Sequence, residues 1–301
     1  MMFAELSGLV AALCWTISSL LAPKLIAQIG AFRFNLFRIS FAASLMCIIS
    51  LWRINELGTL AHFILPLILS GLLGILVGDS FLFSAVHRLG PRRAGVLFAM
   101  NAPFSIVLAW LFLGEALSFI ELLCCAIVLI GVAIAILFGK QGQTHDWENT
   151  KGSLAVGVSM ALMAGLCQAS GALVAKPALL AGVDPIVASA VRVTTGAIGL
   201  LITYCFYFKP RYGENISSMK ALPCAFWLRL ALVATVGMVI GMSMLVWGVG
   251  NANVGIVTTL SATVPVLILP GLWLTTKQRP ALGAWIGAIF VVGGAVGIIL
   301  N

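Results

Sequence analysis

Charge is scarce in this sequence: of 301 residues only 9% are Asp, Glu, Lys or Arg, and the longest polar stretch is GKQGQTHDWENTK, from Gly139 to Lys151. Soluble domains carry charge on about a quarter of their residues, so a water-soluble domain is excluded. Histidine is nearly absent, with His62, His87 and His145 scattered singly and no second ligand at helical spacing. That pattern speaks against a metal centre, and none is expected. None of the cysteines, Cys14, Cys47, Cys124, Cys125, Cys167, Cys205 and Cys224, forms a CxxC, and most fall inside apolar runs, where a thiol packs as a small apolar group. No Walker A sequence, HExxH, acidic pair at helical spacing or His beside a nucleophile occurs, so neither a nucleotide cofactor nor any other is expected. The first apolar run, from Glu5, lacks the basic flank and small-residue cleavage site of a signal peptide and reads as a permanent helix.

What fills the chain is hydrocarbon. Hydrophobic residues make up 61% of it, and the mean hydropathy is +1.14. A bilayer core about 30 Å thick takes roughly 20 apolar residues per helix. Ten such runs centre near Ala12, Phe41, Leu73, Val107, Val128, Met163, Thr195, Val236, Leu267 and Ile289. They lack the two-residue alternation of barrel strands and read as helices. The net charge of +8 is dispersed over short loops and so reports topology, not nucleic-acid binding. Odd-numbered connections hold Lys24, Arg33, Arg88, Arg92, Arg93, Lys140, Lys151, Lys209, Arg211, Lys220, Arg229, Lys277 and Arg279, against only Arg53 and Lys176 in even-numbered ones. The bias predicts cytoplasmic odd connections and both termini on the non-cytoplasmic side.

The runs also repeat. NAPFSIVLAWLFLGEALSFIELLCCAIVLIGVAIAI from Asn101 and SATVPVLILPGLWLTTKQRPALGAWIGAIFVVGGAVGIIL from Ser261 each read as an apolar helix, a short polar turn and a second apolar helix, headed by Pro103 and Pro265. Earlier landmarks recur in the same order. Arg38 answers to Arg192, Gly74 and Gly78 to Gly237 and Gly241 in two GxxxG pairs, Ser80 to Ser243, and Gly131 to Gly293. GxxxG at matching places predicts close helix packing in both modules. The units are residues 1–139 and 152–301, joined by a polar linker over 140–151. Five helices per unit is odd, so the second copy inserts upside down. The fold class is an all-α integral membrane protein with ten transmembrane helices as two inverted five-helix repeats.

This ordered set resembles the drug/metabolite transporter superfamily, and within it the EamA-type transporters. The resemblance covers essentially the whole chain and rests on the two five-helix halves, the Arg of each second helix, the Pro of helices four and nine, and LGEALS followed by a helix with LIGV. It implies export of a small metabolite such as an amino acid across the bacterial inner membrane, with helices one, three, four, six, eight and nine around a central cavity. Two features depart from the pattern: TTKQRP replaces LGEALS in the second copy, putting Lys277 where the first has Glu115, and the loop charges oppose the usual cytoplasmic termini.

Polar groups within the membrane cost on the order of 3 kcal/mol each and mark candidate sites. Asp79 is the sharpest, because its counterpart is Met242. It can bind an amine or take a proton, or else cap a helix or pair with Arg88 or Arg92. Arg38 and Arg192 suit a symmetrical structural role, attraction of anionic groups, or the locking of a closed gate. Pro103 and Pro265 each remove a backbone donor and so free a carbonyl, beside Asn101, Ser261 and Thr263, which with Gln168 are candidate cavity-lining groups. Trp15 and Trp247, with Phe83, can form an aromatic wall, whereas Trp52, Trp110, Trp227, Trp273 and Trp285 read as interface anchors. Glu115 is expected to satisfy amides at the start of the next helix, and Lys24 and Lys176 to reach lipid headgroups. The expected partners are a small-molecule metabolite and the bilayer, with pairing to a second copy of the chain left open. The competing class is an intramembrane enzyme acting on a lipid. Counterflow in vesicles separates the two.

Overall fold

The computed structural model describes residues 2–53, 57–89, 94, 97–138, 153–208, 222–264, 266–267, 270 and 281–300. Among these residues the regular elements are all helical. They are α1 (Met2–Ile29), α2 (Ala31–Leu51), α3 (Leu57–Gly71), α4 (Asn101–Leu113), α5 (Phe119–Phe138), α6 (Leu154–Leu180), α7 (Pro185–Thr203), α8 (Cys224–Ala234), α9 (Val254–Ser261) and α10 (Leu282–Leu300). Helix α3 continues through a π-helical stretch, Leu72–Val77, into Gly78–Leu89, and α8 does the same through Thr235–Ile240 into Gly241–Asn251. A third π-helical stretch, Tyr204–Phe208, extends α7.

Six helices are long and apolar enough to cross a membrane: Phe3–Ala22, Phe32–Leu51, Thr59–Leu82, Leu154–Leu180, Pro185–Phe206 and Cys224–Asn251. Asn101–Leu113, Phe119–Ile134 and Leu282–Ile298 are shorter apolar helices. The exterior is apolar, with Trp52 87%, Phe206 81% and Phe119 79% exposed, a surface matched to lipid. Trp110, Trp227 and Trp285 are exposed too, while Trp273 lies outside the described residues.

Local chemistry sets the helix ends. Asp184 caps α7 by accepting from Ile186 N at 2.8 Å and Val187 N at 3.3 Å, with Pro185 in the first turn. Ser118 and Glu121 form a reciprocal box at the start of α5, Ser118 N donating to Glu121 Oε2 at 2.7 Å and Glu121 N to Ser118 Oγ at 3.2 Å. Gly114, at φ 67°, closes α4 in the left-handed conformation, which only glycine adopts without strain.

Helices α1, α3, α4, α6, α8 and α9 form one contiguous group through contacts of α1 with α8 and α9, of α6 with α3, α4 and α8, and of α4 with α9. The pairs α2–α7 and α5–α10 pack outside it. Both pairs are antiparallel. Phe32 stacks on Tyr204 at 6.3 Å, whereas Arg53 at the other end of α2 meets Asp184. Gly131, Gly283 and Gly294 mark close approaches of α5 and α10: a Cβ at Gly131 would stand 2.7 Å from Gly287 O, one at Gly283 2.7 Å from Phe138 O, and one at Gly294 2.8 Å from Cys124 O. Gly293, the expected counterpart of Gly131, faces open space, and its neighbour Gly294 packs on α5 instead.

Candidate functional site

The two GxxxG pairs lie within or at the end of the π-helical stretches, and each faces the first helix of the other half. A Cβ at Gly171 of α6 would stand 2.9 Å from Gly74 Cα, and one at Gly237 would stand 2.7 Å from Ser18 Oγ of α1. In a π-helix the hydrogen bond lengthens to five residues, and side chains from neighbouring helices can use the displaced carbonyls. Trp15 Nε1 donates to Gly237 O at 2.9 Å, across from α1 into the α8 stretch. Gln168 occupies the corresponding place on α6, its Oε1 3.5 Å from where a Gly74 Cβ would be. The tertiary structure therefore supplies the partner position for Gln168 that sequence alignment of the halves does not, and it is held by an indole.

Asp79 follows the first π-helical stretch and meets Arg38, Nη2 to Oδ2 at 4.0 Å. Arg38 was not among the expected partners, which were Arg88 and Arg92. Arg92 lies outside the described residues, and Arg38 reaches Asp79 from α2. Arg38 Nη2 also donates to Asn35 Oδ1 at 2.8 Å, and the Asn35 side chain interacts with the carboxylate in turn. Nothing in the sequence singles out Asn35 except its i, i+3 spacing from Arg38, which places both on one helix face. The Arg38 guanidinium lies 5.9 Å from the Phe34 ring centre. Its side chain is 17% exposed and that of Asp79 24%, so the pair is partly shielded from the surroundings.

Arg192 occupies the same register in α7 that Arg38 does in α2, yet its surroundings differ. It is 1% exposed, and its Nε and Nη2 are buried without a hydrogen-bond partner among the described residues. A Cβ at Gly71 would stand 2.5 Å from Arg192 O, which puts α3 and α7 in direct contact there.

The remaining candidates are dispersed. Asn101 is buried at the start of α4, its backbone against Gly165 of α6. Ser261 and Thr263 are buried and donate back along their own segment, to Thr258 O at 2.9 Å and Leu260 O at 2.7 Å. Trp247 is half-buried against the same apolar core as Trp15. Phe83 lies on the last part of α3 with its side chain outside the described residues, and Pro265 lies outside them altogether. Pro103 does not free a carbonyl. It stands in the first turn of α4, where no intrahelical donor is needed, and Ala99 O accepts from Ala102 N at 3.2 Å.

Two further expectations are corrected at the end of the bundle that holds the even-numbered connections. Lys176 does not reach for headgroups. It is 6% exposed, donates to Glu115 Oε1 and donates to Ala252 O at 2.8 Å. Glu115 does satisfy a helix-start amide, but that of Val254 in α9, at 2.9 Å, since Glu121 and Ser118 already close the start of α5. The cluster ties the α4–α5 turn, the end of α6 and the start of α9 together. Sequence offers no local signal for it, because 61 residues separate Glu115 from Lys176. Lys24, by contrast, is exposed.

No curated protein matches this sequence. A solved crystal structure is similar in fold, with a TM-score of 0.76 at 16% sequence identity over 99% of this chain and 96% of that one. The sequence model of the EamA-like transporter family matches twice, over residues 2–137 and 155–300. With both halves matched, an all-helical fold and an apolar exterior, this chain is a multi-pass membrane protein belonging to the EamA-like transporter family.

Proposed function

We propose that this protein is a secondary carrier that moves a small metabolite, such as an amino acid or related compound, by alternating access between two inverted five-helix halves. The observation that carries the reading is the matched pair of helix interruptions, Leu72–Val77 in α3 and Thr235–Ile240 in α8, each packed on the first helix of the other half. Interrupted helices at corresponding places in two halves are where carriers bind their cargo and about which the halves rock. In this reading ten spans cross the inner membrane, the termini lie on the non-cytoplasmic side, and transport runs outward. The Arg38–Asp79 pair beside the first interruption couples transport to a proton or a counter-substrate. A proton or cationic group on the carboxylate weakens its hold on Arg38 and lets α2 and α3 separate.

Counterflow in proteoliposomes loaded with a panel of unlabelled amino acids tests the reading. Saturable uptake of the labelled compound, driven by the same compound inside, is expected. Its absence for every compound that stabilises the purified protein sinks the carrier. Asp79→Asn should retain counterflow and lose the response of uptake to an imposed pH gradient. An unchanged response removes Asp79 from coupling.

A further inference from the structure

Among the described residues two ion pairs join the halves, and both lie at the end of the bundle that holds the even-numbered connections. Glu115, in the turn after α4, meets Lys176 near the end of α6, and their side chains are only 14% and 7% exposed. Arg53, just past α2, meets Asp184, just before α7, at 3.3 Å. The short turn from Ala181 to Asp184 links α6 to α7 and keeps the two pairs at one end. The first pair also grips the connection between α8 and α9: Lys176 donates to Ala252 O at 2.8 Å, and Glu115 accepts from Val254 N at 2.9 Å. The helices around it are in close contact. A Cβ at Gly8 of α1 would stand 2.6 Å from Val257 O of α9, and one at Gly250 would stand 2.9 Å from Leu179 Cβ of α6.

The opposite end cannot repeat this arrangement. The place of Glu115 is taken by Lys277, which lies outside the described residues, and Gly30 stands before α2 where Asp184 stands before α7. Lys24, near the end of α1 as Lys176 is near the end of α6, is exposed. The contact of α3 with α6 at that end is apolar: a Cβ at Gly157 would stand 2.6 Å from Leu89 Cδ2, beside the buried Ala85 and Ala161. An ion pair suits a gate, because the water that enters as an end opens rehydrates both charges and returns much of what their burial cost. We infer that Glu115 and Lys176, with Arg53 and Asp184 outside them, are the latch that closes the even-numbered end, and that apolar packing holds the other end. The inference rests on the carrier reading and assigns the device that shuts one of its ends. The structure is that of the latched state. Cargo crosses this end only after Glu115 and Lys176 part and release the α8–α9 connection.

Thiol labelling of the full chain in lipid nanodiscs, where the reagent reaches both ends, tests the latch without reading transport. Thr258→Cys places a thiol one turn beyond Val254 in α9, and Val158→Cys places one at the α3–α6 contact of the opposite end. Rates with a polar maleimide are read at each probe peptide by mass spectrometry, so the native cysteines stay in place. Glu115→Gln with Lys176→Met removes both charges, keeps an acceptor for the Val254 amide and strands no ion, so the variant should fold. In it, labelling at Thr258→Cys should rise about tenfold and labelling at Val158→Cys should fall, because an interaction made in one state alone biases the balance of states. Mere loosening of the fold raises both rates. Should the double variant fail to fold, Arg53→Gln is read in the same way, with changes of about twofold at its more exposed pair. In whichever variant is read, an unchanged rate at Thr258→Cys, or a rise there without a fall at Val158→Cys, overturns the latch. The carrier reading itself stands or falls on counterflow.

Discussion

At the scale of single residues the two halves keep the same places but exchange chemistry. Ser18 Oγ of α1 donates to Val233 O of α8 at 3.3 Å, and at the matching contact of the other half Ser70 Oγ of α3 donates to Gly171 O of α6. The helix that carries the donor is reversed, yet the crossing is the same. Glu115 and Lys176 break the symmetry more sharply, since sequence alignment sets Lys277 opposite Glu115 and so no second copy of this ion pair can form. Both side chains are largely buried, and Glu115 Oε2 also holds the Val254 amide. Glu115→Gln strands a buried ammonium and should cost about 3–5 kcal/mol of stability, read as a lowered unfolding midpoint in detergent. Adding Lys176→Met should restore much of the loss. Additive losses in the double variant would mean that the two groups do not act as a pair.

At the scale of elements, glycine decides which helices approach and where. The GxxxG repeat is legible in the sequence as a packing signal, but not that each pair faces the other half, because a helix face has no label for its partner. The π-helical stretches were not legible either. Leu72–Val77 and Thr235–Ile240 contain ordinary apolar residues, and the lengthened hydrogen bonds arise where α6 and α1 press against them. On the outer pair, α5–α10, the one-residue difference between Gly293 and Gly294 gives a clean comparison. Gly131→Ala and Gly294→Ala put a methyl within 3 Å of backbone atoms and should each lower stability by about 1–3 kcal/mol. Gly293→Ala meets nothing within 4 Å and should be neutral or raise it slightly, since alanine is the better helix former. A midpoint lowered equally in all three would refute the packing assigned to α10.

At the scale of the whole molecule, the distribution of loop charge is the ground on which we propose non-cytoplasmic termini. The two cations of the even-numbered connections both face carboxylates, Arg53 opposite Asp184 at 3.3 Å and Lys176 opposite Glu115, so that side presents little free positive charge. With the odd-numbered connections cytoplasmic, alkaline phosphatase fused after Asn301 should be active and green fluorescent protein at the same place dark. A fluorescent fusion would reverse the orientation. The sequence by itself determined the class of the protein, the duplication and the residues that stand out from hydrocarbon, because solvent transfer and helical length depend on composition and order along the chain alone. It marked Asp79, Arg38, Arg192 and Glu115 without their partners. Only the tertiary structure joined Asp79 to Arg38 and Asn35, buried Lys176 against Glu115, and buried Arg192 beside Gly74 with Nε and Nη2 unpartnered among the described residues, because those contacts bring together helices far apart in the chain, and hydropathy carries no record of which neighbour a buried charge will meet.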